Sequence, residues 1–139
     1  MKQYNLFISH SWSYSDTYEN LYKLLDKADY FFYKNYSIPK DDPLIIKAKS
    51  NYLYQRELRD KITEQMKYAS VVLILAGVYS SYSDSINMEI DVAQELGKPI
   101  IAIEPWASER TSKIVKDNAD EIVSWNTSSI VDAIRRLSK

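Results

Sequence analysis

Four short apolar runs, YNLFIS (4–9), SVVLILA (70–76), PIIAIE (99–104) and EIVSW (121–125), punctuate a chain whose other segments are largely polar. Runs of this kind, rich in β-branched residues and bounded by polar stretches, fit strands covered on both faces. A fifth run, YFFYKNY (30–36), is more polar and aromatic and suits an edge strand. Between these runs the apolar positions switch to helical spacing: Tyr18, Leu21, Tyr22, Leu25 and Ala28, then Leu58, Ile62, Met66 and Ala69. A further helix is predicted from about Asp84 to Leu96, ending at Gly97-Lys98-Pro99, where glycine can take the left-handed cap and proline cannot continue. The polar segment 107–118 predicts a weak helix, and Asn126 caps a last one through Ile130, Ile134 and Leu137.

The resulting order is strand then helix, repeated five times. Right-handed crossovers then require a parallel sheet with helices on both faces. For five strands the common doubly wound order is 2-1-3-4-5, which opens a crevice at the carboxyl ends of strands 1 and 3. A ligand is therefore expected between SHSWSYSD (9–16) and GVYSSYSDS (77–85). The segment 37–51, long for a strand-to-helix connection and broken by prolines, is expected to form a flap over that crevice.

Composition narrows the chemistry. The 139 residues suit a single domain, 1–139, with a sizeable core. With 18 basic against 19 acidic residues, no broad field of one sign exists to hold nucleic acid or an anionic membrane. The absence of cysteine excludes disulfides, thiolate catalysis and cysteine-based metal sites, and the single histidine excludes a histidine-rich metal site, so no metal or cofactor is expected. No apolar run approaches the ~20 residues of a membrane span, and the N-terminus does not read as a secretion signal, so a soluble, cytoplasmic protein is expected. Two glycines, Gly77 and Gly97, cannot make a GxGxxG or a Walker phosphate loop, and no GxSxG elbow is present. Phosphotransfer receivers of this topology need acidic residues where Ser9-His10 and Ala76-Gly77 stand.

What remains is one carboxylate. Glu89 lies too deep in its helix for a capping box, which would fall at 86 or 87. At helical spacing it shares a stripe with Ser85, Val92, Ala93 and Leu96, so its side chain is directed inward beside the expected crevice. Such a carboxylate is a functional candidate, although the same placement suits a lysine partner or a backbone amide near the helix start. His10 suits a phosphate or ribose at the mouth, or a structural hydrogen bond. Ser9, Ser11, Ser13 and Ser15 suit a pyrophosphate cradle at the start of the first helix, or plain loop and cap roles. Trp12 suits stacking on a base, or packing over the sheet edge.

Taken together, NLFISHSW, VVLILAGVYSSYSDSINMEI and the spacing between them resemble a TIR domain, more narrowly the TIR-like domain of Thoeris-type bacterial antiphage proteins. The resemblance covers nearly the whole chain and implies a flavodoxin-like sheet. That family carries a serine, then Trp-Cys, then a glutamate on the helix after strand 3. Ser83 matches the serine and Glu89 the catalytic acid, while Ser85 and Ile86 stand where Trp and Cys usually are. The aromatic contact to nicotinamide would then fall to Trp12 or Tyr79. A second stretch, DSINMEIDVAQELGKPII, is similar to nucleoside deoxyribosyltransferases, where a glutamate five residues after an aspartate acts on the sugar carbon. Asp84 and Glu89 keep that spacing, but Ile86-Asn87 replace the Gly-Thr pair of that family.

The first resemblance implies an enzyme that cleaves the nicotinamide–ribose bond of NAD, its substrate rather than a cofactor. Glu89 would be catalytic, and Ser9, His10, Trp12, Tyr79, Ser83 and Asp84 would line the substrate site. It also implies a signalling nucleotide sensed by a partner effector: a cyclic ADP-ribose isomer, the commoner family product, or ADP-ribose joined to an acceptor such as histidine. A homo-oligomer in which a neighbouring subunit completes the site belongs to the same expectation. Two other classes stay open: a catalytically silent interaction and oligomerisation module, and a deoxyribosyltransferase-like nucleoside enzyme.

Overall fold

The computed structural model describes residues 3–9, 17–36, 52–75, 83–104 and 113–138. Strands and helices alternate along the chain: β1 (Gln3–Ile8), α1 (Thr17–Asp26), β2 (Phe32–Asn35), α2 (Tyr52–Met66), β3 (Val71–Leu75), α3 (Ser83–Glu95), β4 (Ile100–Glu104), α4 (Lys113–Asn118), β5 (Glu121–Ser124) and α5 (Thr127–Leu137). The five strands form one sheet in the order β2-β1-β3-β4-β5, with every neighbouring pair parallel. This is the doubly wound, flavodoxin-like α/β architecture and strand order that the hydrophobic pattern predicts. The predicted flap, 37–51, lies outside the described residues.

Strand alternation splits the core into two layers. Leu6, Ile8, Val71, Leu73, Ile101 and Ile103 point to one face, where α1 contributes Leu21 and Leu25 and α5 contributes Ile130 and Ile134. Phe7, Val72, Ile74, Ile100 and Ala102 point to the other, under α2 (Leu58, Ile62, Met66), α3 (Ile86, Ile90, Val92, Ala93) and α4 (Val115). Coverage on both faces explains why the central strands read as unbroken apolar runs. At the edge, β2 alternates exposed and half-buried positions, as its mixed composition predicts.

Local chemistry fixes the helix ends. Gly97 has φ +66°, its N–H donates to the Gln94 carbonyl, and the Lys98 N–H donates to the Ala93 carbonyl, the two bonds of a Schellman cap closing α3. Asn126 caps α5, its Oδ1 accepting from the Ser129 N–H at 2.8 Å. No described helix is long and apolar enough to cross a membrane.

Candidate active site

The strand order reverses between β1 and β3, and the residues that meet at that point are Ser9 and Glu89. Ser9 follows β1 directly, and its N–H donates to the Leu73 carbonyl at 2.9 Å, so β3 holds its backbone in place. Side chains alternate along a strand, which sends Ser9 to the same face as Phe7, the face covered by α2 and α3. The amino end of α3 stands at the carboxyl edge of the sheet. Glu89 lies six residues beyond the start of that helix, on the stripe shared with Ile86, Val92 and Ala93.

The two polar side chains meet inside the protein. The Ser9 hydroxyl donates to Glu89 Oε1 at 2.6 Å, a bond between residues 80 apart in sequence. Ser9 is 0% and Glu89 1% exposed, and they are the buried polar residues among the described ones. A distance of 2.6 Å is in the range of a charge-assisted O–H···O⁻ bond, about twice as strong as a neutral one. Both residues also make further polar or electrostatic contacts. An isolated carboxylate inside an apolar layer would cost several kcal/mol on the order given by small-molecule transfer, so partners are required to keep it there. Chemically, the arrangement presents a preorganised acceptor at the carboxyl edge of the sheet, one able to stabilise positive charge, hold hydroxyls or receive a proton.

The structure brings together two of the residues singled out from sequence, Ser9 and Glu89. Ser83 and Asp84 form the first turn of α3, so their backbones are at the rim of the crevice, but their side chains lie outside the description. His10, Trp12 and Tyr79, together with Ser11, Ser13 and Ser15, lie outside the described residues. One residue escaped the sequence reading. Asn87, two positions before Glu89, has a buried Oδ1 that meets no hydrogen-bond donor among the described residues. A polar residue next to the inward stripe of α3 is the signal that marks it. A depression of about 890 Å³, lined by Gln3, Asp26, Phe31, Phe32 and Tyr33, lies at the amino ends of β1 and β2, away from Ser9 and Glu89. Position at the switch point and the buried polar pair are better guides to the chemistry than cavity size, because the loops that would wall the crevice are outside the described residues.

Comparison with known proteins gives two findings. The sequence model of the family described as Thoeris protein ThsB, TIR-like domain, matches residues 7–110. Among solved structures, a 2-deoxyribosyltransferase from the psychrotolerant bacterium Bacillus psychrosaccharolyticus is similar in fold, with TM-score 0.52 over 85% of this chain and 84% of that one, at 10% sequence identity. No curated protein matches the sequence.

Proposed function

The chain belongs to the ThsB TIR-like domain family, and we propose that it consumes NAD, cleaving the nicotinamide–ribose bond with Glu89 as the catalytic carboxylate. The observation that carries this reading is the burial of Glu89 at the β1/β3 switch point, in a stripe that packing alone would fill with an apolar residue. Position, burial and family membership all support that residue.

The chemistry asks little else of the protein. As the C1′–N bond breaks, nicotinamide takes the electron pair and leaves as a neutral base, so no general acid is needed. Positive charge builds on the ribose carbon, and a fixed carboxylate stabilises it. An incoming hydroxyl or ring nitrogen then bonds to C1′, giving its proton to Glu89 or to solvent. One carboxylate thus does what most glycosidases divide between two. The nucleophile decides the product: water gives ADP-ribose, an atom of the same molecule gives a cyclic isomer, and an external imidazole gives a conjugate. We assign the cyclic isomer, made as a signal for a separate effector protein in antiphage defence, with assembly of several copies completing the site.

A second reading, a nucleoside deoxyribosyltransferase-like enzyme, is favoured by one observation, the Asp84-to-Glu89 spacing within DSINMEIDVAQELGKPII. The two are separated by offering purified protein either NAD or a deoxynucleoside with a free base. Nicotinamide release that is lost in Glu89→Gln supports the NAD reading; base exchange without nicotinamide release supports the transferase. If neither occurs at high protein concentration with infected-cell extract added, a non-catalytic interaction module replaces both.

A further inference from the structure

The sequence gives Ser9 two roles, loop residue or phosphate cradle, and the geometry points to a third. Its side chain is fully buried on the α3 side of the sheet, and its hydroxyl donates to Glu89 at 2.6 Å. A cradle for phosphate needs its donors at the open mouth of the crevice. We propose that Ser9 is a positioning residue that holds Glu89 in place as a hydrogen-bond acceptor before substrate arrives. The proposal rests on the reading of Glu89 as the catalytic carboxylate.

Two observations support it. Glutamate has three side-chain torsions, and from a helix it reaches several positions; serine has one, and here its backbone is pinned to β3 through the Leu73 carbonyl. The anchor is therefore the stiffer partner. Phe7, Ile74, Ile86, Ile90 and Ala93 belong to the apolar layer on the same face of the sheet, so a carboxylate that left Ser9 would give up a polar partner within a mostly apolar layer.

Steady-state kinetics on wild type, Ser9→Ala, Ser9→Cys and Glu89→Gln test this. A lost hydrogen bond to a charged group predicts that Ser9→Ala lowers kcat about 10- to 100-fold while KM stays within about threefold. Ser9→Cys keeps the size and a weak donor, and recovers part of the rate. A Ser9→Ala effect confined to KM would overturn the proposal in favour of substrate binding, and unchanged kcat would overturn it outright. Those results leave the NAD reading standing so long as Glu89→Gln is inactive; an active Glu89→Gln removes that reading instead. A readout independent of turnover is the carboxyl ¹³C resonance of Glu89 in glutamate-labelled protein, assigned by its loss in Glu89→Gln. It shifts in Ser9→Ala if the hydroxyl bond holds the carboxylate in solution, and an unmoved resonance overturns the proposal whether or not NAD is cleaved.

Discussion

Removing the Ser9 hydroxyl by Ser9→Ala leaves the buried Glu89 carboxylate one donor short, and the cost follows from burial. Hydrogen bonds to charged groups contribute about 1.5–3 kcal/mol, and here the upper part of that range applies because both partners are sealed from water. With an unfolding entropy of about 2.1 cal/mol/K per residue, a chain of 139 residues loses roughly 3.4 °C of Tm per kcal/mol, so Ser9→Ala melts about 7–10 °C lower. Glu89→Met, which keeps an unbranched side chain of similar length, instead deprives the hydroxyl of its charged acceptor. That costs about 1–3 kcal/mol, partly offset by placing an apolar group in an apolar stripe. The double variant removes both members of the pair and is predicted to lose less stability than the sum of the two single variants. Urea unfolding followed by circular dichroism yields the four free energies, and other contacts of Glu89 cancel between the two legs of the cycle. The account requires a coupling of at least about 1.5 kcal/mol. Additivity of the two substitutions to within about 0.5 kcal/mol would refute it.

Smaller perturbations test the frame around the site. Gly97→Ala adds a methyl group that meets no atom within 4 Å, so its cost is the left-handed backbone alone, about 1–2 kcal/mol, read as a lower urea midpoint at constant m. Asn126→Ala removes the cap of α5 and lowers stability by about 1 kcal/mol, with no change in catalytic rate, because α5 lies on the sheet face away from Glu89. Tyr30, 79% exposed with φ +56°, is the one described non-glycine residue in the left-handed region, and Tyr30→Gly is expected to raise stability by about 1 kcal/mol or less, read as a higher urea midpoint.

Much of this protein was legible before its structure, for reasons that differ by element. The runs that became β1, β3 and β4 declare burial on both faces, and alternation with helices then leaves few topologies. The ends of α3 and α5 are written in Gly97 and Asn126, because capping is local chemistry. Strand β2 is shorter than its aromatic run suggests: Tyr30 turns left-handed before it, and the strand is confined to Phe32–Asn35, with the Tyr36 N–H adding one bond to the Leu6 carbonyl of β1. For the site, helical spacing fixed the inward direction of Glu89 but carried no information about its partner. The Ser9 bond spans 80 residues and depends on strand order, register and side-chain parity at once. Spacing does not single out Asn87, because it marks residues on the buried stripe and says little about a polar neighbour beside it.

The central claim is that Glu89 makes this fold an NAD-cleaving enzyme. Its most direct test is mass spectrometry of NAD incubated with wild type and with Glu89→Gln, at equal concentration and with cell extract present. The account predicts free nicotinamide and an ADP-ribose product from the wild type, and a rate at least ~100-fold lower from Glu89→Gln with an unfolding transition that remains cooperative. Undiminished nicotinamide release by folded Glu89→Gln would contradict it.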